Sequence, residues 1–205
     1  MTLNLTVSSP PQSFTEPLTV AEVEHYLSLP SLSPDDENRT ALLESLISAA
    51  REVAELHQGR DLVQKQFDLT MESFPATISL RPHLVTVDLV QYTDSDGTVT
   101  ALTENTDYIV DTAKQPGVIM PVYGESWPTF TPWPSSPILV RFTAGLAATD
   151  AFWADAGKRI VVGMKMLIKH WYESPEAISK PGSTGAEIPF GISVLLGSGA
   201  IPRAR

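Results

Sequence analysis

The chain has 205 residues, 42% of them hydrophobic, and a formal net charge of −10 at pH 7. A chain of this length buries roughly 70% of its unfolded surface, so its core needs no metal or disulfide support. The absence of cysteine excludes disulfides, thiolate metal sites and a cysteine nucleophile, and the acidity argues against binding to nucleic acid through phosphate contacts.

The charge is unevenly distributed along the chain. Residues 1–60 contain nine acids and three bases, residues 61–146 contain ten and four, and residues 147–205 contain five and seven. One interpretation is a solvated surface that keeps the protein soluble, and the other is two faces of unlike charge that contact different neighbours. No stretch approaches about 18 uninterrupted apolar residues, so we expect no membrane span, and the first residues do not resemble a signal peptide.

The first predicted element is a short helix over residues 18–27, preceded by an N-terminal arm, residues 1–17. Thr19 and Glu22 have the spacing of a capping box, in which each side chain accepts a hydrogen bond from the backbone N–H of the other residue. Leu18 and Val23 flank this box at the positions of a hydrophobic staple. We therefore predict a stable helix start.

A longer helix follows and completes the first part of a helical bundle, residues 18–60. Ser33 is a good N-cap, and Gly59 is placed to end the helix. Between them, apolar residues recur at intervals of three and four, which predicts one buried stripe. This stripe comprises Leu42, Leu43, Leu46, Ile47, Ala50, Val53, Ala54 and His57.

Residues 61–146 have the pattern of a β-rich insertion. Apolar residues alternate with polar ones in two runs, which predicts half-buried strands. The sequence of residues 94–97 predicts a hairpin turn, and shorter strands are expected at residues 108–110, 118–120 and 138–142. The alternating residues are Phe67, Leu69 and Met71 in one run and Val85, Val87 and Leu89 in the other.

A proline-rich stretch within the insertion carries several aromatic residues. Proline at this density is incompatible with central strands, so we predict an ordered loop. The loop either covers the apolar face of a small sheet or forms an interface, since Tyr and Trp are enriched at protein contacts. Its candidate interface residues are Tyr123, Trp127, Phe130 and Trp133.

Helical periodicity returns near Asp150 and gives the second part of the bundle, residues 147–175. Residues 176–205 then read as a flexible loop followed by a short apolar tail. The tail either folds back onto the core or contacts a partner, and we favour the partner. The apolar residues of the helix are Ile160, Met164, Leu167, Ile168 and Trp171.

The sequence contains no recognisable constellation for catalysis or metal binding. The four histidines, His25, His57, His83 and His170, have no metal-pair spacing, and there is no Gly-x-Ser-x-Gly elbow, Walker loop or dinucleotide fingerprint. Asp94 and Asp96 fit a turn better than a calcium loop, because no glutamate lies at the required later position. We therefore assign no catalytic, cofactor-binding or metal-binding residue and expect a structural protein that is not an enzyme.

Several short stretches, taken in order, resemble one family. They are LTVAEV at 18–23, AAREVAE at 49–55 ahead of Gly59, VYGESWP at 122–128, VRFTAG at 140–145, HWYESPEA at 170–177 and IPF at 188–190. Together they resemble the phage head–tail connector (adaptor) proteins, in the subgroup in which a β-rich insertion interrupts a helical bundle. The resemblance implies an α+β fold: N-terminal and C-terminal helices around a small, mostly antiparallel sheet.

The resemblance also implies a role, a place and partners. Such a chain is one subunit of a homo-oligomeric ring, commonly twelvefold, beneath the portal protein in the neck of the virion, with assembly in the host cytoplasm. The ring leaves a channel through which DNA passes as cargo, and it contacts head-closure or tail proteins below. No cofactor and no membrane are involved. Because the C-terminal segment often makes the portal contact in this family, the implied docking residues are Phe190, Ile192, Val194, Leu195 and Leu196.

Three other functions stay open at this point. The chain could be a head-closure or tail-completion protein of the same particle. It could instead be a glycan- or receptor-binding module built on the sheet and on Trp127 and Trp133. The third alternative is a carboxylate-dependent hydrolase, since two catalytic carboxylates can meet only in the folded chain.

Overall fold

A computed structural model describes residues 3–7, 15–30, 37–173, 189–197 and 200. The chain forms two compact units. The sheet unit comprises Met1–Phe14 and Gln64–Leu146, and the helical unit comprises Thr15–Val63 and Ala147–Arg205. The helical unit is thus built from segments on both sides of the strand-rich segment, and the predicted α+β class is confirmed.

The larger sheet of the sheet unit has five antiparallel strands. In spatial order these are β1 (Leu3–Val7), β2 (Lys65–Met71), β8 (Ile138–Ala144), β4 (Leu84–Thr93) and β5 (Val99–Leu102). Strand β1 lies at one edge and pairs with β2. The sequence analysis had placed it in an N-terminal arm and did not predict a strand there.

A second antiparallel sheet has three strands. In spatial order these are β3 (Ile78–Ser79), β7 (Val118–Pro121) and β6 (Tyr108–Asp111). Side chains from both sheets form one apolar core. The fully buried residues of this core include Val90, Ile119, Ile138, Val140 and Phe142.

The predicted alternation is confirmed in β2 and interrupted in β4. Phe67, Leu69 and Met71 are all buried. In β4 the register against β8 shifts twice, so that Val85 is exposed while Leu84 and Val90 are buried. A bulge adds a residue to one strand and reverses the side-chain alternation beyond it, which a period-two pattern does not reveal.

The helical unit begins with α1 (Val20–Leu27) and α2 (Glu37–Gln58). The predicted capping box is present: Thr19 Oγ1 accepts from the N–H of Glu22, and Glu22 Oε2 accepts from the N–H of Thr19. Helix α2 ends where Gly59 adopts a positive φ of 66°. The predicted start at Ser33 lies outside the described residues.

The buried stripe of α2 is narrower than predicted. Leu43, Ile47, Ala50 and Ala54 are buried, but Leu42 is 49% exposed. Leu42 lies about 100° from Leu43 around the helix, on the side away from Ile47 and Ala54, so its side chain points out of the core. The placement of Leu42 in the core was therefore wrong.

The second helical segment begins with a 3₁₀ turn (Ala151–Ala154) capped by Asp150, followed by α3 (Ala156–Glu173) and α4 (Phe190–Leu196). The predicted stripe of α3 is confirmed at Ile160, Met164, Leu167 and Ile168, which are completely buried, whereas Trp171 is only partly buried. Among the described helices, none combines the length and apolarity that crossing a bilayer requires. The flexible loop predicted after residue 175 lies outside the described residues up to residue 188.

Candidate functional site

The C-terminal segment forms a short helix whose two faces have different surroundings. Ile192 and Leu196, one turn apart, are buried in the helical unit, whereas Phe190 is 84% exposed and Val194 is 55% exposed. Leu195 is partly buried. The five residues expected to dock on a partner are therefore divided: some hold α4 on its own unit, and only Phe190 and Val194 present large apolar surface outward.

A glycine lets α4 approach α3 closely. A β-carbon at Gly163 would lie 2.9 Å from Cδ2 of Leu196 and 3.2 Å from Cβ of Leu195. Both distances are shorter than ordinary van der Waals contact, so any larger residue would push α4 outward. Gly163 therefore lets the side chains of Leu195 and Leu196 lie directly against α3.

A buried amide joins the end of α4 to the end of α2. The side chain of Gln58 is completely buried, and its Nε2 donates a hydrogen bond to the backbone carbonyl of Leu196. The last carbonyls of a helix lack partners within the helix, and a buried carbonyl without a hydrogen bond is costly. Gln58 thus satisfies one terminal carbonyl of α4.

The aromatic loop, residues 122–137, packs against the sheet unit through stacked rings. Trp127 stacks on Phe74 with ring centroids 4.6 Å apart and an angle of 8° between the planes. The ring centroids of Phe130 and Tyr92 are 4.4 Å apart. Because rings at these separations attract one another and exclude water, Trp127 and Phe130 stabilise the loop itself.

Two other aromatic residues of this loop face outward. Tyr123 is 100% exposed and precedes Gly124, which has a positive φ of 86°. Trp133 is about half exposed, and its backbone N–H donates to the backbone carbonyl of Thr93 over 3.1 Å. The four predicted interface residues thus divide in the same way as the tail: Tyr123 and Trp133 are available for a contact.

A buried arginine of the helical unit has a structural role. Arg51 of α2 is 3% exposed and donates to Glu16 and Glu55, each over 2.9 Å. Burial disfavours the charged form of Arg51, but the carboxylates of Glu55 and Glu16 outweigh this effect and raise its pKa. Glu55 also accepts from the N–H of Leu62 over 3.0 Å, so this cluster fixes segments on both sides of α2.

A second buried arginine lies near the start of the second helical segment. The guanidinium of Arg60 lies 5.0 Å from the ring centroid of Phe152. Burial lowers the pKa of Arg60, and the nearby carboxylate of Asp150 opposes this shift. A cation over a ring face within about 6 Å is stabilised by the ring quadrupole, so the contact holds residues 150–152 against the end of α2.

The histidines lie in separate places. His25 is on α1 and His170 is in the last turn of α3, whereas His57 Nδ1 is 2.9 Å from the carbonyl of Val53. His83 belongs to the sheet unit and has a positive φ of 55°. Within the described part of the chain, no group of three His, Asp or Glu side chains is arranged to hold a metal ion.

The residues that position α4 were missed by the sequence analysis. Gly163 lies inside a helical pattern, where an isolated glycine costs about 1 kcal/mol relative to alanine and so suggests a packing reason. That signal was available. Gln58 carried no comparable signal, because nothing in the sequence identifies its partner in α4.

Solved structures share this fold over the full length of the chain. The chain matches one from "Neck of empty GTA particle computed with C6 symmetry" at 23% identity and a TM-score of 0.66, with 100% of this chain and 98% of that chain covered. It matches another from "Neck of native GTA particle computed with C12 symmetry" at 22% identity and a TM-score of 0.64, with the same coverage. A third match, at 21% identity and a TM-score of 0.63, again with the same coverage, is from "Virion of native gene transfer agent (GTA) particle".

At these identities the likeness is one of fold. No protein-family model matches the chain, and no curated protein matches it.

Proposed function

We propose that the chain is a structural protein of the neck of a phage-like particle. In this role it is an adaptor, or head–tail connector, subunit that forms a ring beneath the portal protein and joins the head to the tail. The observation that carries the proposal is the fold match to neck chains over 100% of this chain and 98% of theirs.

Ring assembly is supported by the symmetry of the neck structures that share the fold, which are described with C6 and C12 symmetry. A closed ring needs contacts between two different faces of each subunit. The net charge of −10 suits a ring that encloses passing DNA, because an acidic wall repels phosphate and lets the duplex slide.

The outer face of α4 is the proposed portal contact. Phe190 and Val194 present apolar surface one turn apart, on a helix that Ile192 and Leu196 hold in place. Because the helix is already folded on its own unit, docking through this face costs less conformational entropy than ordering a free tail would. Of the five docking residues that the family resemblance implies, Phe190 and Val194 are thus proposed to touch the partner. The other three, Ile192, Leu195 and Leu196, position them.

The aromatic loop is proposed as a second contact, through Tyr123 and Trp133, for head-closure or tail proteins. Tyr123 is fully exposed within this loop, which stacked rings hold in shape. A fixed loop that presents an amphipathic aromatic side chain is a common arrangement at protein interfaces.

The portal contact is tested with the double variant Phe190→Ser/Val194→Ser. It should keep the unfolding free energy of the native chain but lose co-sedimentation with purified portal rings of the same particle. Val99→Ser, which replaces an exposed valine of the sheet unit, is the matched control and should bind normally. Normal portal binding by the double variant would exclude α4 as the contact.

The same binding assay separates the alternative roles. A head-closure or tail-completion protein would bind tail proteins and leave the portal unbound. A glycan-binding module would bind a glycan array and lose that binding in Trp133→Ala. The face of Trp127 that stacks on Phe74 is already occupied, so Trp127 offers a sugar at most its other face.

A further inference from the structure

The outer side of α2 carries acids and exposed leucines. Glu37, Glu44 and Glu52 are exposed there, and Leu42 and Leu56 are 49% and 61% exposed. The two basic residues of α2 are not on this side: Arg51 is buried, and Arg39 donates to Glu24 over 3.1 Å. We call this surface, which consists of Leu42, Glu44, Glu52 and Leu56, the acidic face.

The outer side of α3 has the same construction with the opposite charge. Lys158, Arg159 and Lys169 are exposed around the apolar side chains of Val162 and Met166. Glu173, one turn beyond Lys169, is the one exposed acid of the helix, and it lies 3.7 Å from the Lys169 ammonium. We call the surface of Lys158, Arg159, Val162, Met166 and Lys169 the basic face.

Both faces point away from the core of their own unit. With about 100° between successive residues, Leu42, Glu52 and Leu56 lie within a sector of about 80° on α2, and Glu44 lies about 80° beyond Glu52, on the flank of the same exposed side. That sector is opposite the buried residues Leu43 and Ile47. On α3 the basic face is likewise opposite Met164 and Leu167, which are completely buried.

We infer that the acidic face of one copy of this chain binds the basic face of the next copy. The inference rests on the proposed ring assembly and assigns its subunit contact. Each face has exposed apolar side chains among charges of one sign, so the pairing buries leucine against valine and methionine while acids meet bases. Pairing a face with its own copy would place like charges together, which is strongly disfavoured.

This arrangement also explains how the contact would repeat from subunit to subunit and close into a ring. The two faces are on different helices and are not copies of each other, so each subunit can use its acidic face toward one neighbour and its basic face toward the other. Such a head-to-tail contact yields a ring when the rotation between subunits closes.

Charge reversal provides the test. Glu44→Lys/Glu52→Lys gives a chain whose two faces are both basic, and Lys158→Glu/Lys169→Glu gives a chain whose two faces are both acidic. Each variant, when it is the only chain present, should self-associate with an affinity reduced roughly tenfold or more, because like charges now meet. The same reduction is expected in solution and on purified portal rings. A 1:1 mixture of the two should regain association, and so should the chain that carries all four substitutions.

Sedimentation velocity and electron microscopy measure the assemblies, and Glu72→Lys/Glu104→Lys, which makes the same charge change on the sheet unit, is the control. In the native chain, a carbodiimide should cross-link Lys158 or Lys169 of one isotope-labelled copy to Glu44 or Glu52 of an unlabelled copy. Rings that persist in each charge-reversal variant would overturn this contact and leave the proposed function intact. Rings of the native chain that cross-link only at other residues would do the same. Absence of any multimer of the native chain, alone and on the portal, would overturn both.

Discussion

The side-chain amide of Gln58 donates a hydrogen bond to the backbone carbonyl of Leu196, 138 residues further along the chain. Gln58 is the last residue of α2 and Leu196 is the last residue of α4, and both are completely buried. The bond joins the two segments of the helical unit at the helix that carries Phe190 and Val194. Loss of this bond should therefore loosen the proposed docking helix before it affects the rest of the fold.

Gln58→Met tests this relationship, because methionine fills a similar volume but cannot donate. The carbonyl of Leu196 would stay buried without this donor, at a cost of about 1–3 kcal/mol. Hydrogen exchange should become faster in α4 than in α2 or α3, and chemical denaturation should give the total loss. Gln66→Met, which removes a hydrogen bond to Asp88 in the sheet unit, is the control and should leave exchange in α4 unchanged.

Gly163 and Gly191 form a pair in which a larger side chain should have opposite effects. Gly163→Val places branched carbons where Leu195 and Leu196 now lie, so we expect α4 to shift and the unfolding free energy to fall by roughly 1–3 kcal/mol. At Gly191 no described atom lies within 4 Å of the β-carbon position. Gly191→Ala should therefore stabilise α4 by up to about 1 kcal/mol through helix propensity alone.

Chemical denaturation of the two glycine variants, followed by circular dichroism, measures both changes. Portal binding should fall with Gly163→Val and persist with Gly191→Ala. Equal stability of the two variants would mean that the close approach of α4 to α3 contributes nothing.

Two arginine–carboxylate pairs of different burial should differ in their contribution to stability. Removal of Arg51 leaves Glu16 and Glu55 largely shielded from water without their cation, and Arg51→Met should cost about 3–5 kcal/mol. Arg141 makes a two-point contact with Asp68 at 2.7 and 2.9 Å, but its side chain is more than a third exposed. Arg141→Met should therefore cost less than about 1 kcal/mol.

Urea titration of both arginine variants decides between burial and geometry as the source of stability. Added salt should weaken the Arg141 pair further and leave the Arg51 pair nearly unchanged, since buried charges are poorly screened. Similar losses for the two variants would contradict the burial argument.

The capping box of α1 predicts a pH effect. The backbone N–H of Thr19, together with its hydroxyl and the ammonium of Lys165, lowers the pKa of Glu22 below 4.5, against the opposing effect of partial burial. A carboxylate whose pKa is lower in the folded state stabilises the protein above the unfolded-state pKa and loses that contribution as the pH falls through the folded-state value. The difference in unfolding free energy between the native chain and Glu22→Gln should therefore shrink below pH 4.5.

Glu72→Gln, which removes an exposed charge from the sheet unit, controls for the general effect of lost negative charge. Thr19→Ala removes the other half of the box and should cost about 1 kcal/mol at neutral pH. A constant difference between Glu22→Gln and the native chain across the titration would exclude the capping carboxylate as the titrating group.

Local signals predicted the elements of this fold well. Thr19 and Glu22 define a helix start by spacing alone, and Gly59 defines a helix end because φ is positive there. The alternation in β2 likewise follows from its own residues. These features depend on contacts within a few residues, which a sequence displays directly.

Long-range features were not predictable in the same way. Strand β1 depends on pairing with residues 60 to 68 positions away, and the bulges of β4 depend on its register with β8. The division of the C-terminal residues into buried and exposed sets requires the surface of α3 at Gly163. A short apolar run shows that burial will occur, but the neighbour that covers it is decided by the tertiary fold.

Leu42 and Leu43 of α2 provide the last test, since periodicity placed both in the core and the structure separates them. Leu43 is completely buried, so Leu43→Ala should cost about 2–5 kcal/mol in unfolding free energy. Leu42→Ala should change it by less than about 0.5 kcal/mol, because Leu42 is half exposed. If Leu42 instead contributes to the acidic face, Leu42→Ala should weaken self-association at unchanged stability. Denaturation and sedimentation velocity, run on the same two variants, separate these roles. A large loss of stability in Leu42→Ala would place this residue in the core and remove it from the subunit contact.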